Sequence, residues 1–348
     1  MLIAKTTNID HMKKIKTTIL TELAAVETEL KAIQSDIPVL NEVSSQLLKS
    51  GGKRLRPVMA IASALSCGYK GSSHIALASI IELIHAATLL HDDVIDNSIK
   101  RRYQDTANKV WGNKNSILAG DYIYSIAFQK MVAIPDPKVL KVLSEATSYI
   151  VEGEIIQLTQ AHNPNTSIAS YLEVITRKTA RLFKVAAELG AVISNAETKQ
   201  INSLSNIGNS FGMAYQIIND LDDYDLDHST GKSICDDLLE GKPTLPYILA
   251  YNNGSKTQKE LLAKCLTKSE NKIDIDSVIA ILIETNAFTQ TKEYANNYLK
   301  SALDELALFD QSISCTEPHG SKQEDGNKYT ACIRELIYYL QSKVTLQT

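Results

Sequence analysis

The sequence predicts an all-α protein that forms a single domain. Its 15 glycines and 8 prolines make up about 7% of the 348 residues. These turn-forming residues contribute roughly 12% on average. Apolar residues recur at steps of three and four along most of the chain, and no alternation typical of a strand extends beyond a few residues. No linker of different composition divides the chain, so we expect one domain over residues 1–348.

The predicted helices follow one another with few interruptions. Residues 12–33 carry a narrow apolar stripe between Lys and Glu residues, and a shorter helix over 40–48 ends at a Gly-Gly pair. Residues 58–65 and 75–90 are apolar on nearly every side, which predicts buried central helices. The tract 310–328 is polar and contains proline and glycine, which predicts a loop. Further helices are predicted over 115–132, 137–158, 168–193, 199–221, 244–251, 273–286 and 329–344.

Charge and cysteine content exclude several functional classes. With 36 basic against 40 acidic residues the net charge is −4, which argues against nucleic-acid binding because that needs a basic surface. The most apolar segment, 75–90, contains Glu82 and His85 and is shorter than the ~20 residues that cross a bilayer. Five scattered cysteines without a CxxC pair predict reduced thiols. We therefore expect a cytoplasmic protein without a membrane span.

The first of three charged clusters is the string GGKRLRP at 51–57. Two flexible glycines precede Lys53, Arg54 and Arg56, directly before a helix that begins near a proline. Arginine offers a planar fork and lysine a point charge, so the string suits a phosphate or diphosphate. A solvated basic turn is the alternative explanation.

The second cluster, HDDVID, follows the most apolar helix. Asp92 and Asp96 are four residues apart and share a helix face, with Asp93 beside them. Carboxylates at a helix C-terminus are unfavourable unless cations neutralise them, and oxygen ligands on one face suit Mg²⁺ bridging to phosphates. An exposed acidic face is the alternative explanation. The basic residues nearby are His85, Arg101 and Arg102.

The third cluster, QIINDLDD, places four oxygen-bearing side chains on one helix face. Between the second and third clusters Lys178 and Arg181 supply further cations. Two acidic faces and several cations on a helical frame indicate a phosphate-rich substrate held through bridging metal ions. The four side chains are those of Gln216, Asn219, Asp220 and Asp223.

The strings GGKRLRP, HDDVIDNSIKRR, GDYIYSIAF, KTARLF, QIINDLDDYD and EGKPTLP together resemble the trans-isoprenyl (polyprenyl) diphosphate synthases, in that family's order and spacing. The likeness is nearest to bacterial long-chain members such as octaprenyl diphosphate synthases. It implies an all-α bundle around a central cavity, a homodimer and Mg²⁺-dependent condensation of isopentenyl diphosphate with an allylic diphosphate, farnesyl diphosphate by expectation. The implied product is a long all-trans polyprenyl diphosphate for a quinone side chain, lipophilic enough for contact with a membrane surface.

The resemblance also assigns roles to residues. Catalysis is assigned to Asp92, Asp96, Arg101 and Lys178. The metal ligands are Asp92, Asp96 and Asp220. The binding of isopentenyl diphosphate is assigned to Lys53, Arg56, His85 and Arg102. The allylic diphosphate is assigned to Arg101, Lys178, Thr179, Gln216 and Lys232.

Product length is predicted from Ala87 and Thr88, which lie about one turn before Asp92. Long-chain synthases are similar in carrying small residues there, so we expect both to line a tunnel for the growing chain. The alternative explanation is that they only permit close helix packing.

Three features depart from the family pattern. Asn219 stands where Asp is usual, Tyr103 where Gly is common, and the tract from Asp310 resembles an insertion. The alternatives are a shorter-chain (geranylgeranyl) synthase, a class I terpenoid cyclase, and an inactive partner subunit of a heteromeric synthase. The cation site of Lys53 and Arg56 argues against a cyclase, which binds no second diphosphate.

Overall fold

The computed structural model describes residues 2–49, 52–101, 104–225, 234–267, 274–314 and 321–346, and these are almost entirely helical. Two short strands after α5, β1 (Lys100–Arg101) and β2 (Gln104–Asp105), pair antiparallel. The prediction of an all-α fold is confirmed. The helices are α1 (Leu2–Thr18), α2 (Leu20–Lys31), α3 (Pro38–Lys49), α4 (Leu55–Ser66), α5 (Ser73–Ile95), α6 (Ala107–Trp111), α7 (Asn113–Ala133), α8 (Pro137–Gln160), α9 (Ile168–Ile175), α10 (Arg181–Ile193), α11 (Thr198–Asp222), α12 (Asp236–Leu239), α13 (Leu245–Asn253), α14 (Lys256–Leu266), α15 (Ile275–Glu284), α16 (Ala287–Ser314) and α17 (Ser321–Leu346).

The centre of the bundle is built by α4, α5, α10 and α11, whose residues are mostly buried. Helix α5 packs against α4 and α7, and α10 packs against α4 and α11. Gly190 allows the close approach of α10 to α4, because a Cβ there would lie 2.7 Å from the carbonyl oxygen of Ala60. The two segments that are apolar on all sides are therefore the central helices, as the sequence predicts.

Helix α5 is the one described helix that is long and apolar enough to cross a membrane. In this fold 67% of the most apolar 18-residue stretch of α5 is buried inside the protein, as in the core helix of a globular domain. The four described cysteines, Cys67, Cys235, Cys265 and Cys332, form no disulfide within the described residues.

The N-terminal segment differs from the single predicted helix over 12–33. It is divided into α1 and α2 at Ile19, whose φ of −124° and ψ of 36° leave the helical region. Just before the break, the hydroxyls of Thr17 and Thr18 donate to the carbonyl oxygens of Lys13 and Lys14 at 2.9 Å. Such hydrogen bonds back to the preceding turn bend helices, so the break has a local cause.

The predicted loop over 310–328 is wrong for most of its length. Helix α16 continues to Ser314, and α17 begins at Ser321. Gly326, taken as a loop signal, is a buried helical residue that faces the carbonyl oxygen of Ser66. Burial in a tertiary contact therefore overrides the weak helical propensity of this glycine. Pro318 and Gly320 lie outside the described residues.

Candidate active site

An apolar cavity of about 690 Å³ lies between α5, α7, α8 and α11. It adjoins a polar chamber of about 170 Å³ at the C-terminal end of α5. Asp92, Lys178, Thr179 and Gln216 line both spaces, so the two form one continuous site. The site therefore has a charged end and an apolar end, which suits a substrate with a polar head and a hydrocarbon tail.

Two of the three carboxylates of the DDxxD string, those of Asp92 and Asp96, lie in the polar chamber. Asp92 and Asp96 both line it, at the end of α5. Burial raises the pKa of Asp92 to about 6, with a lowering contribution from Lys178 and raising contributions from Glu154 and Asp96. Three carboxylates near one point make their shared negative charge costly without cations.

Two lysines supply that positive charge. Lys178 Nζ forms an ion pair with Glu154, lies 3.8 Å from Asp92 Oδ2, and donates to Gln157 Oε1 at 2.8 Å. Lys242 Nζ lies 2.7 Å from Asp96 Oδ2 and 2.8 Å from Glu240 Oε2. Asp92 and Asp96 therefore each have a lysine nearby, contributed by a different part of the chain.

The sequence reasoning assigned no role to Lys242, although it lies in the string EGKPTLP. Burial works against its charged form, but Asp96, Glu240 and Asp237 together raise the pKa of this lysine. Lys242 is thus a fixed cation at neutral pH. The sequence signal for Lys242 was its position between a glycine and a proline. The neighbouring residues in the sequence do not show that this lysine faces Asp96.

Arg101 lines the polar chamber, but its ion-pair partner is Asp93, the middle residue of the acidic string. Its Nη2 and Nε donate to Asp93 Oδ1 at 2.8 and 3.0 Å. Burial works against the charge, yet these bonds raise the pKa of Arg101. Asp93 therefore orients Arg101 toward the chamber, a role that the sequence analysis did not give it.

The second acidic cluster forms a chain of hydrogen bonds on the opposite wall. Thr179 Oγ1 donates to Gln216 Oε1 at 2.8 Å, and Gln216 Nε2 donates to Asp220 Oδ1 at 2.7 Å. The hydroxyl of Tyr171 donates to the other oxygen of Asp220. Tyr171 is a residue that the sequence analysis missed. Asn219 lines the apolar cavity and is not among the residues that line the polar chamber.

A π-helical turn, Thr176–Ala180, orients Lys178 and Thr179. The sequence predicts one helix over 168–193, but the wider turn separates α9 from α10, and both residues line the polar chamber and the cavity. The turn is fixed from two sides, because a Cβ at Gly153 would lie 2.7 Å from Arg177 Cβ and one at Gly212 2.6 Å from Ala180 Cα. Such turns are frequent at functional sites.

The basic string is only partly brought to the cavity. Arg56 and His85 line it. Lys53 is exposed, and its Nζ lies 5.3 Å from the ring centre of Tyr339 on α17, outside the lining of the cavity. Burial lowers the pKa of Arg56, against the raising effect of Tyr215 and Glu82. Two further predicted diphosphate ligands, Arg102 and Lys232, lie outside the described residues.

The structure places Ala87 and Thr88, the two residues predicted to line the tunnel, differently, and their role in product length stays a prediction. Thr88 lies on the cavity wall together with His85 and Leu89, whereas Ala87 is fully buried and is not part of the wall. The reason is helical geometry. Ala87 is five residues before Asp92 and therefore about 140° away around the helix axis, while Thr88 is within about 40°.

The described residues contain no group of three or more acidic, His or Cys side chains that holds a metal ion alone. The chamber instead offers oxygen donors on two walls, from Asp92 and Asp96 on one side and Asp220 on the other. This donor set fits Mg²⁺, which is usually bound through one or two carboxylates together with water and substrate phosphates. The ligands that complete such a site are then those of a diphosphate.

Known proteins share this sequence and fold. The polyprenyl synthetase family matches residues 37–282. The chain is 37% identical over 284 residues to octaprenyl diphosphate synthase from Haemophilus influenzae, covering 81% of this chain and 86% of that protein. It is 36% identical over 300 residues to octaprenyl diphosphate synthase from Escherichia coli, covering 86% and 93%.

Among solved structures, the fold is similar to a polyprenyl synthase from Caulobacter crescentus that is complexed with calcium and isoprenyl diphosphate. The TM-score is 0.86 at 33% identity, and 95% of this chain and 97% of that one are covered. Fold and site together define an all-α isoprenoid synthase. The chain belongs to the polyprenyl synthetase family and is a trans-prenyltransferase, which confirms the resemblance seen in the sequence.

Proposed function

We propose that the protein condenses isopentenyl diphosphate with an allylic diphosphate, farnesyl diphosphate in the first instance, to a long all-trans polyprenyl diphosphate near the octaprenyl length. The reaction depends on Mg²⁺, and its product supplies a quinone side chain. The single observation that carries the proposal is the continuity of the charged chamber with the apolar cavity. One end suits diphosphates and the other suits the growing hydrocarbon.

The allylic diphosphate is proposed to lie in the polar chamber. Lys178, Thr179, Gln216 and Arg101 face it there, and Lys242 adds a further cation. Mg²⁺, when bound by Asp92, Asp96 and Asp220, supplies charge neutralisation for the departing diphosphate. The lysines stabilise the same negative charge as the C–O bond breaks, which is electrostatic stabilisation of the leaving group.

Isopentenyl diphosphate is proposed to bind beside Arg56 and His85, with Lys53 moving in from the surface. This arrangement brings the double bond next to the allylic carbon in a site that excludes water, so proximity contributes to the rate. The released diphosphate is the nearest base for the departing proton. No carboxylate needs to act as a general base, because Asp92 and Asp96 are paired with lysines and Asp220 accepts hydrogen bonds from Gln216 and Tyr171.

The long product is proposed from the cavity wall and from the relatives. Thr88 and Leu89 are the first residues below Asp92 on the wall, and neither is aromatic. The relatives at 36% and 37% identity are octaprenyl diphosphate synthases. A geranylgeranyl synthase remains the alternative for product length, and product chromatography distinguishes the two.

The assembly is proposed to be a homodimer formed through α7 and α8. These two helices expose large apolar side chains, among them Leu118 (60% exposed), Val132 (70%) and Val151 (58%). A second copy of the chain is the occupant that the resemblance implies for this face. The alternative is that the chain is a partner subunit of a heteromeric synthase. This alternative stays open because Asn219 stands where the family usually has Asp. A cytoplasmic location stays a prediction from the sequence.

The test is to incubate the purified protein with isopentenyl diphosphate, farnesyl diphosphate and Mg²⁺, and to measure released pyrophosphate and separate the prenyl products. We expect elongated linear products that require the metal. A cyclic hydrocarbon made without isopentenyl diphosphate would identify a terpenoid cyclase instead. Absence of turnover until a second chain is added would identify a heteromer subunit.

A further inference from the structure

Arg54 and Arg56 are two residues apart but differ in their bonding. Arg54 donates to Glu27 Oε1 and to Glu82 Oε1, both at 2.6 Å, and to the carbonyl oxygen of Leu48 at 2.7 Å. Arg56 makes no such bond with the described residues, and its buried Nε has no hydrogen-bond acceptor. The charge of Arg54 is therefore used within the fold, whereas the N–H donors of Arg56 remain available.

An aromatic ring supports Arg56 in place of a carboxylate. Its Cζ lies 4.3 Å from the centre of the Phe183 ring, which is fully buried on α10. Phe211 and Tyr215 pack against the same ring, at 5.0 and 5.3 Å between centroids. A ring face attracts a cation without using its N–H donors, whereas a carboxylate would occupy the donors and cancel the charge.

We infer that Phe183 is a positioning residue for isopentenyl diphosphate. It holds the guanidinium of Arg56 against the wall of the cavity, charged and with its donors free for the diphosphate of that substrate. The inference rests on the proposed function, because it needs isopentenyl diphosphate to bind beside Arg56. Phe183 does not line the cavity itself, so it acts only through Arg56.

The first experiment compares two Phe→Leu variants from the same aromatic group. Arg56 has a second, longer cation–π contact with Tyr215 at 5.9 Å, so Phe183→Leu removes the nearer of the two and should raise KM for isopentenyl diphosphate about 2- to 30-fold. The value of kcat and KM for the allylic substrate should stay unchanged. Phe211 is equally buried and touches Phe183, but no contact with Arg56 is present. Phe211→Leu should therefore lower the melting temperature comparably and leave KM for isopentenyl diphosphate unchanged.

The second experiment is a double-mutant cycle with Arg56→Ala. If Phe183 acts through Arg56, Phe183→Leu should cause no further rise in KM in the Arg56→Ala background. Effects that multiply in the double variant would overturn the inference, as would equal KM changes in Phe183→Leu and Phe211→Leu. If Phe183→Leu does not fold, Phe183→Met removes the ring with a more adaptable side chain and carries the same expectations.

Calorimetric binding of isopentenyl diphosphate to the wild-type protein, measured beside turnover, distinguishes a failure of the proposed function from a failure of the inference about Phe183. A wild-type protein that neither binds nor condenses isopentenyl diphosphate would overturn the proposed function and this inference together. A wild-type protein that does both, beside a Phe183→Leu variant with unchanged KM, would overturn the inference alone.

Discussion

Asp92 is the residue at which the opposing charges of the site meet. It is close to Lys178, Glu154 and Asp96, and burial raises its pKa from 3.8 to about 6. Asp96 has a nearer counter-ion, since Lys242 lies 2.7 Å away. The negative charges of Asp92 and Asp96 are thus neutralised to different extents by the protein itself.

The carboxylates are expected to dominate catalysis. Asp92→Ala or Asp96→Ala should lower kcat about a thousandfold, which corresponds to a loss of ~4 kcal/mol of transition-state stabilisation. Circular dichroism should show native helicity. Asp304→Ala, an exposed carboxylate on α16, serves as the control and should retain activity. Near-normal turnover of either site variant would remove the motif from the mechanism.

Asp92 should also make stability depend on pH in metal-free buffer. Because its pKa in the folded protein is about 6, above the ordinary 3.8, the folded state binds this proton more tightly than the unfolded chain. The resulting stability is fully present below pH 3.8 and is lost as pH rises through about 6. We expect urea unfolding to show the wild type losing stability relative to Asp92→Asn across this window. A constant difference between the two proteins would show that the pKa is not raised.

At the scale of the elements, the π-helical turn depends on the space that α11 leaves for it. Gly212→Ala would place a methyl group 2.6 Å from Ala180 Cα. We expect a loss of ~1–3 kcal/mol of unfolding free energy and a higher KM for the allylic diphosphate, because Lys178 and Thr179 lie on the displaced turn. Thermal unfolding and kinetics measure both effects.

Gly326→Ala is the matched control for that substitution. The nearest atom to a Cβ at Gly326 is the carbonyl oxygen of Ser66 at 3.6 Å, an ordinary contact. Alanine is favoured over glycine within a helix by ~0.5–1 kcal/mol, so stability should be equal or higher. Equal loss of stability in both variants would show that the tight contact at Gly212 has no special role.

The two faces of α5 should separate product length from stability. Thr88→Phe places a ring on the cavity wall and should shorten the product by several isoprene units. Ala87→Phe places the same ring where no space is exposed, so it should lower stability by ~1–3 kcal/mol through overpacking. Its product should keep the wild-type length. Shortening by Ala87→Phe alone would instead support the prediction made from the sequence.

At the scale of the whole molecule, the exposed apolar face of α7 and α8 determines the expected assembly. Light scattering should give twice the mass of one chain for the wild type. Leu118→Glu should shift the protein toward the monomer, because a buried unpaired charge opposes association. Ile283→Glu changes a residue of equal exposure, 61%, on α15 and should leave the mass unchanged. A monomeric wild type would contradict the proposed dimer.

Sequence reasoning was most accurate where neighbours along the chain determine the structure. The apolar periods at 58–65 and 75–90 correspond to α4 and α5, since a helix face is set by residues three and four apart. It was wrong at Gly326, where another helix decides whether a small residue marks a loop or a packed interior. It missed the division of the 168–193 segment, because the glycines that fix the π-helical turn lie on α8 and α11.

The sequence by itself determined the all-α class, the order of the charged motifs and the family to which the chain belongs. Each of these depends on the local spacing of apolar residues and on the residue types along the chain. Only the tertiary structure decided how the charges are paired. Lys242 meets Asp96, Asp93 binds Arg101, and Arg56 rests on an aromatic ring. Such pairings depend on distances between residues on separate elements, and Coulomb and hydrogen-bond energies fall too steeply with distance for spacing along the chain to reveal them.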